Sequence, residues 1–120
     1  MSTSLYDRLG GSAGIAKIVD NAVAAHLQNP LIRSRFQNVK DLEHLKQMAS
    51  DFFCAGSGGP EKYNGKDMRA AHKGMNISEQ EYLAVMDDIM KALDDQRIDG
   101  NTKKDVLAIL YGLKGEIIRL

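Results

Sequence analysis

The chain has 120 residues, which is enough for one domain and too short for two ordinary ones, so we expect a single domain over residues 1–120. Hydrophobic residues make up 43% and charged residues 27%, a globular balance, and sixteen basic residues cancel sixteen acidic ones. This neutral total gives no support to binding of nucleic acid or an anionic membrane. The lone cysteine cannot form an internal disulfide, no apolar run approaches the ~20 residues that span a bilayer, and no signal peptide is seen. We therefore expect a soluble, cytoplasmic protein.

Apolar residues that recur at three and four positions predict helices in the first half of the chain. Gly10 separates a short opening helix from a longer one, which Pro30 interrupts. The predicted elements of this half are helices at residues 4–9, 12–28 and 41–55, with a short helical turn within residues 30–39.

The second half predicts one very short helix, residues 66–73, and two long ones, residues 78–96 and 102–118. The long helices begin with pairs at the spacing of a capping box, Ser78 with Glu81 and Thr102 with Asp105. The short helix buries little, so its persistence requires something else to hold it. No stretch alternates at period two, and the predicted fold class is all-α.

Few side chains indicate chemistry by themselves. The glycine-rich residues 56–59 lack the strand and the Lys-Ser/Thr end of a phosphate loop, and are predicted to be a flexible turn. Cys54 lies beside two phenylalanines and is interpreted as core filling. The three histidines lack the spacing of zinc ligands. His26, near a helix C-terminus, and His44 are predicted to be surface residues, and composition alone favours the same interpretation for His72.

Several segments, taken in order, carry a family resemblance. Residues 4–11 have the sequence SLYDRLGG, and residues 29–31, Asn-Pro-Leu, are followed by Phe36. Residues 58–65 have the sequence GGPEKYNG, and residues 68–72 have MRAAH. In order and spacing, over essentially the whole chain, these segments resemble the group I truncated haemoglobins. The resemblance implies a truncated-globin fold, a two-over-two helical sandwich around a b-type haem (iron protoporphyrin IX), whose iron would anchor the short helix.

The resemblance also implies roles for individual residues. His72 would bind the iron through a neutral imidazole nitrogen, and Phe36 would stack on the porphyrin face. The residues implied to line the slot for the macrocycle are Phe52, Phe53, Tyr82, Val85, Met86 and Ile89. Candidates to meet the haem propionates are Tyr63, Lys66 and Arg69. The remaining residues implied to contact haem are Leu45, Met48, Ala49 and Met68.

The chain departs from the family pattern on the distal side, where a bound gas is held. The family's second helix usually carries Phe-Tyr, with the tyrosine donating to bound oxygen, where this chain has Ala22-Val23. The partner helix often supplies glutamine where this chain has Ala49, and Leu45 occupies the other usual distal position. The ligand pocket is therefore expected to be roomy and without polar groups, formed by Val23, Phe36, Leu45, Ala49 and Phe52.

Several functions stay open. The first is a haem protein that binds oxygen, carbon monoxide and nitric oxide, and the second is a haem enzyme of nitric oxide or nitrite chemistry, or a gas or redox sensor. The expected distal set offers no acid–base residue to the enzyme. The third is a haem-free interaction module, which the retained Phe36 and His72 argue against.

A reductase partner and a sixth iron ligand also stay open. Met48 and His44 each precede a distal position by one residue, and either is a conditional sixth ligand. We favour packing at the haem edge for Met48 and solvent exposure for His44. No Cys-x-x-Cys-His occurs, so covalent attachment of the c type is not expected.

Overall fold

The computed structural model describes residues 4–60 and 62–119. Its helices are α1 (Leu5–Arg8), α2 (Gly11–Gln28), α3 (Arg33–Gln37), α4 (Leu42–Gly56), α5 (Met68–His72), α6 (Glu79–Asp95) and α7 (Gly100–Leu113). A short 3₁₀ turn, Lys114–Glu116, follows α7. In these residues the β structure is limited to one isolated bridge, Ile77 with Ile118, and the all-α prediction is confirmed. Residues 1–3, on which the signal-peptide prediction depends, and Glu61 of the 58–65 motif lie outside the described residues.

Every predicted helix is present, and the bounds agree within about three residues except at the last helix. The capping box of α6 is confirmed: the backbone N–H of Glu81 donates to the Ser78 hydroxyl, and the Glu81 carboxylate accepts from the backbone N–H of Ser78. The local spacing of apolar residues and caps is therefore enough to position most of the helices.

The capping box predicted for α7 was wrong. Asp99 is the N-cap, and Thr102 lies one turn inside the helix with 0% of its surface exposed. The Thr102 hydroxyl donates to Asp99 Oδ1 at 2.6 Å, while Asp105 pairs with Arg8 of α1 at 2.7 Å. The helix also ends at Leu113, because the chain tightens into the 3₁₀ turn there.

The fold has two layers, each a pair of helices: α2 with α4, and α6 with α7. The central helix α2 also packs against α6, which joins the two layers. The buried stripe of α2 runs through Ile15, Val19 and Val23 and joins one hydrophobic core. No helix among the described residues is long and apolar enough to cross a membrane. The stacking of α2 between α4 and α6 leaves a space between the layers, where the site described below is found.

The glycine before the motif proline permits a close approach of α1 to the end of α4. A Cβ at Gly59 would lie 2.4 Å from a ring carbon of Tyr6 and 2.8 Å from the Cys54 carbonyl oxygen. The backbone N–H of Tyr6 also donates to the Ser57 carbonyl at 2.9 Å. Cys54 itself is buried, with 2% of its surface exposed, and its interpretation as core filling is confirmed.

Candidate functional site

A cavity of about 410 Å³ is walled by side chains from α2 to α7. Its wall includes all five residues predicted for the ligand pocket, from Val23 on α2 to Phe52 on α4. The other residues of the predicted haem-contacting set that line it are Met48, Phe53, Tyr63, Met68, His72, Tyr82, Val85 and Ile89. Segments distant in sequence therefore meet around one largely apolar space.

Three residues of the predicted set lie away from this wall. Lys66 and Arg69 are exposed, in the loop before α5 and on α5. Met86 is buried in the hydrophobic core, because Val85 and Ile89 hold the positions of α6 that line the cavity. His44 is exposed on α4 as predicted.

His72 is the last residue of α5 and lies half-buried in the cavity wall. Its Nδ1 is 2.7 Å from the carbonyl oxygen of Met68, one turn earlier. Because a carbonyl oxygen only accepts, Nδ1 carries a proton, and in the neutral form of the ring the lone pair lies on Nε2. Metal-binding histidines have this arrangement, in which one ring nitrogen donates to a carbonyl and the other coordinates the metal. The Asp67 side chain caps α5 by accepting from the backbone N–H of Ala70 at 2.7 Å.

Tyr63 covers another part of the wall. Its ring packs edge-on against Phe52, with centroids 5.2 Å apart, and its hydroxyl donates to the Lys66 carbonyl. A Cβ at Gly65 would lie 2.5 Å from the Tyr63 ring, so the glycine of the motif leaves the space that the ring needs. The loop of the 58–65 motif therefore contributes an aromatic surface to the cavity.

His26 was predicted to lie at the surface, and this was wrong. Only 5% of its surface is exposed, and it lines the cavity. The cause is its position three residues after Val23, on the same buried stripe of α2, which was the signal in the sequence. Its ring stacks on Phe36 with centroids 4.7 Å apart and planes at 24°.

A carboxylate from α6 holds the His26 ring. Nδ1 of His26 lies 2.8 Å from Oδ2 of Asp88, which also accepts from the Asn29 amide at 3.3 Å. Burial lowers the pKa of His26 below 6.5, and the hydrogen bond and charge of Asp88 only partly oppose it. The imidazole is therefore neutral near pH 7 and donates from Nδ1 to the carboxylate.

Arg35 and Glu81 form an ion pair on the wall. The Arg35 guanidinium donates to both carboxylate oxygens of Glu81, from Nε and, at 3.1 Å, from Nη2. This hydrogen bond holds the pKa of Glu81 down at about 2. The sequence does not predict this pair, because its members are 46 residues apart and no local motif connects them.

Tyr82 is buried on α6, and its hydroxyl donates to the Leu110 carbonyl of α7. Burial raises the pKa of Tyr82 to about 12, so the hydroxyl stays protonated. The hydroxyl of Tyr82 thus links α6 to α7, while its ring contributes apolar surface to the cavity.

A family model for bacterial-like globins matches residues 4–119. The chain belongs to the bacterial-like globins. This globin is 28% identical to the group 1 truncated haemoglobin GlbN of Mycolicibacterium paratuberculosis over 114 residues, covering 95% of this chain and 83% of the relative. It is 27% identical to the group 1 truncated haemoglobin of Tetrahymena pyriformis over 115 residues, covering 87% of this chain and 94% of the relative.

Solved structures show the same fold. The crystal structure of the Tetrahymena pyriformis truncated haemoglobin in its Fe(III) form matches with a TM-score of 0.93 at 23% identity, over 98% of this globin and 100% of that chain. The group II truncated haemoglobin of Bacillus anthracis matches with a TM-score of 0.88 at 22% identity, over 99% and 93%. The resemblance to truncated haemoglobins and the two-over-two helical fold are confirmed.

Membership of a globin family makes the chain a haem protein that binds gases. The residues that line the cavity fit a haem. The cavity wall is largely apolar, as the faces of a porphyrin require, and His72 presents a ring nitrogen whose partner nitrogen is already fixed.

Proposed function

We propose that this globin would hold haem b through Nε2 of His72 and would bind oxygen, carbon monoxide and nitric oxide in the same cavity. The observation that supports this most directly is the hydrogen bond from His72 to the Met68 carbonyl. It fixes the tautomer and the orientation of the ring, which leaves Nε2 suited to coordinate iron. When bound, the haem supplies an iron centre at which a diatomic gas coordinates.

The side chains of the cavity have separate roles in this proposal. Phe36 packs on a porphyrin face, and its ring is held in turn by the stacked His26. Phe52 and Tyr63, in edge contact, exclude water from the slot. Met48 packs at the haem edge. The exposed cations Lys66 and Arg69 are proposed to meet the propionates, which are anions that remain in contact with water.

Selectivity among gases follows from the distal side. Val23, Leu45 and Ala49 line the cavity and carry no polar side-chain atom, so none of them donates to a bound ligand. At a ferrous haem held in this cavity, binding of oxygen would be strengthened by a hydrogen-bond donor, whereas binding of carbon monoxide would depend on a donor much less. We therefore propose that this globin retains carbon monoxide and nitric oxide better than oxygen.

Two further elements belong to this proposal. A reductase of unknown identity would return ferric iron to the ferrous state between cycles. We also propose a cytoplasmic location, which a sequence with a single cysteine fits because proteins of oxidising compartments are commonly stabilised by disulfides.

An absorption spectrum tests the proposal. The purified protein, reconstituted with haemin, is recorded before and after dithionite and carbon monoxide. We expect a strong near-ultraviolet band that shifts with carbon monoxide. His72→Ala should lose haem more readily and be partly restored by added imidazole, whereas His44→Ala, at an exposed position off the cavity wall, should behave like the unmodified protein. Full haem occupancy with an unchanged ferrous spectrum in His72→Ala would contradict the assignment.

A further inference from the structure

His26 and Asp88, which are joined by a hydrogen bond, line two different spaces. His26 contributes to the inner cavity of about 410 Å³, and Asp88 and Asn29 contribute to an open cleft of about 560 Å³ between α2 and α6. The hydrogen bond from His26 Nδ1 to Asp88 Oδ2 joins the two, and the Asp88 side chain is 13% exposed. A single charge-assisted hydrogen bond therefore runs from the cavity wall to the outer cleft.

The other polar side chains on the cavity wall, in the part of the chain that the structure describes, are committed elsewhere. Arg35 and Glu81 neutralise each other, and the hydroxyls of Tyr63 and Tyr82 donate to backbone carbonyls. The proposed function uses Nε2 of His72 for iron. Nε2 of His26 is the polar atom of the wall that has no role assigned so far. In the neutral ring it has a lone pair, because Nδ1 carries the proton that is donated to Asp88.

A carboxylate behind an imidazole increases the basicity of the far nitrogen and stabilises the imidazolium once it forms. Asp88 has this position relative to His26, at 2.8 Å. It is also the charged group that acts on the His26 ring, whereas the Arg35–Glu81 pair on the same wall has no net charge. Desolvation keeps His26 neutral and ready to accept a proton near pH 7.

We propose that His26 is the proton acceptor of the haem cavity for ligands that enter as weak acids and bind as anions, such as hydrogen cyanide. This inference rests on the proposed function. The bond from hydrogen to the ligand breaks, the ligand keeps the electron pair as an anion, and a new N–H bond forms at Nε2 of His26. Asp88 stabilises the resulting imidazolium through Nδ1, and the cleft gives the pair access to water for the later loss of the proton.

The test compares two ligands on the holoprotein by stopped-flow. Cyanide binds ferric haem as an anion and enters largely as neutral hydrogen cyanide near pH 7, so its association needs a proton acceptor. Carbon monoxide binds ferrous haem without any proton transfer. His26→Phe keeps an aromatic ring against Phe36 but removes the base, and His44→Phe makes the same change at an exposed position off the wall.

We expect His26→Phe to slow cyanide association by at least about tenfold, because a positioned base contributes about 10²–10⁴-fold to such steps. Carbon monoxide association, a step without proton transfer, measures any change of the cavity itself, and the cyanide rate should fall by at least about tenfold more than the carbon monoxide rate. Asp88→Asn should slow cyanide less than His26→Phe, and His44→Phe should change neither rate. Equal slowing of both ligands, or no change in either, would overturn the inference and leave His26 a packing residue.

A second measurement needs no variant. Nuclear magnetic resonance of the imidazole nitrogens in the diamagnetic carbon monoxide complex reports the tautomer of His26. A proton on Nδ1 and an unprotonated Nε2 near pH 7 support the inference, and a proton on Nε2 overturns it. Absence of a haem spectrum in the unmodified protein would contradict the proposed function as well, whereas a normal spectrum with equal cyanide rates would remove only the role of His26.

Discussion

Arg35 of α3 holds both carboxylate oxygens of Glu81 of α6. Each is followed directly by a ring of the cavity wall, Phe36 after Arg35 and Tyr82 after Glu81. With five residues, α3 is too short to persist on its own, so its position depends on such tertiary contacts. The paired, planar geometry makes this contact more directional than an ordinary surface ion pair.

Replacing Glu81 with Gln should lower the stability of the fold and hold α3, with Phe36, less firmly in place. The amide keeps the shape of the side chain, and its oxygen can still accept from Ser78 in the capping box. The NH₂ group that replaces Oε2 cannot accept from Arg35 Nε, so the change removes the charge and one hydrogen bond of the pair. We expect a loss of about 1–2 kcal/mol in the free energy of unfolding, because charge-assisted hydrogen bonds of partly exposed groups contribute on this order. Urea denaturation measures it, with Glu79→Gln, exposed in the first turn of the same helix, as the control. Equal stability of the two variants would show that the pair contributes nothing.

The same pair predicts a loss of stability in acid. Arg35 holds the pKa of Glu81 at about 2, below its usual value of 4.5. The folded state therefore binds fewer protons than the unfolded state in this range, so the contribution of Glu81 is fully present above about pH 4.5 and is lost as the pH falls toward 2. The denaturation midpoint of the unmodified protein should fall more steeply in this window than that of Glu81→Gln. Parallel curves would contradict the shifted pKa.

His26 gives a pH dependence at milder acidity. Burial lowers its pKa below 6.5, so below that pH the unfolded state takes up a proton before the folded state does. The contribution of the neutral His26 to the free energy of unfolding should therefore be fully present above about pH 6.5 and should decrease as the pH falls below that value. Thermal denaturation at a series of pH values from 7.5 to 5 measures the slope, and His26→Phe should remove this part of it. A slope that survives in His26→Phe would assign the effect to another group.

A donor introduced on the distal side should slow oxygen release. A hydrogen bond to a charged acceptor contributes about 1.5–3 kcal/mol, which corresponds to a factor of roughly ten to over a hundred in an equilibrium constant. We expect Val23→Tyr to slow oxygen dissociation by at least about tenfold if its hydroxyl meets the ligand, with much less effect on carbon monoxide. Val23→Phe supplies the ring without the hydroxyl and is the matched control. Equal oxygen release from both variants would show that bulk, not hydrogen bonding, sets the rate.

A methyl group at Gly65 should disturb the cavity from the loop side. The added Cβ would lie 2.5 Å from the Tyr63 ring, which would have to leave its edge contact with Phe52. We expect Gly65→Ala to bind haem more weakly, as measured by the rate of haem transfer to an acceptor protein. Gly112→Ala adds the same methyl group inside α7, where no atom beyond the neighbouring residues and the backbone of its own helix lies within 4 Å, and should leave haem retention unchanged. Unchanged retention in Gly65→Ala would separate the position of Tyr63 from haem binding.

Local patterns predicted the helices well because each one depends on spacing within a few residues, as the Ser78–Glu81 capping box illustrates. They failed where two local solutions compete. Asp99 with Thr102, and Thr102 with Asp105, have the same spacing. In the structure Asp99 is the N-cap, and Asp105 pairs instead with Arg8 from the other end of the chain.

The polar parts of the site were missed for a related reason. Asp88 lies 62 residues from His26, so no local pattern identifies it as the hydrogen-bond partner of the imidazole. This hydrogen bond offsets part of the free energy that burying the polar ring costs. The stripe of α2 did contain the information that His26 faces inward, since the residue continues the series through Val19 and Val23. The predicted apolar residues were found on the cavity wall because burial follows hydrophobic periodicity, whereas partners of polar groups follow tertiary structure.

The hydrogen bond from His72 to the Met68 carbonyl couples the orientation of the imidazole to the formation of helix α5. The acceptor is the carbonyl four residues earlier in a helix of five residues, so unwinding the helix also releases the ring. Whatever binds at Nε2 must then stabilise α5 by the same free energy with which an intact α5 strengthens that binding. A substitution that frays α5, even one that touches neither His72 nor the cavity, should therefore weaken cofactor affinity, and the helix should be most protected from hydrogen exchange when the site is filled.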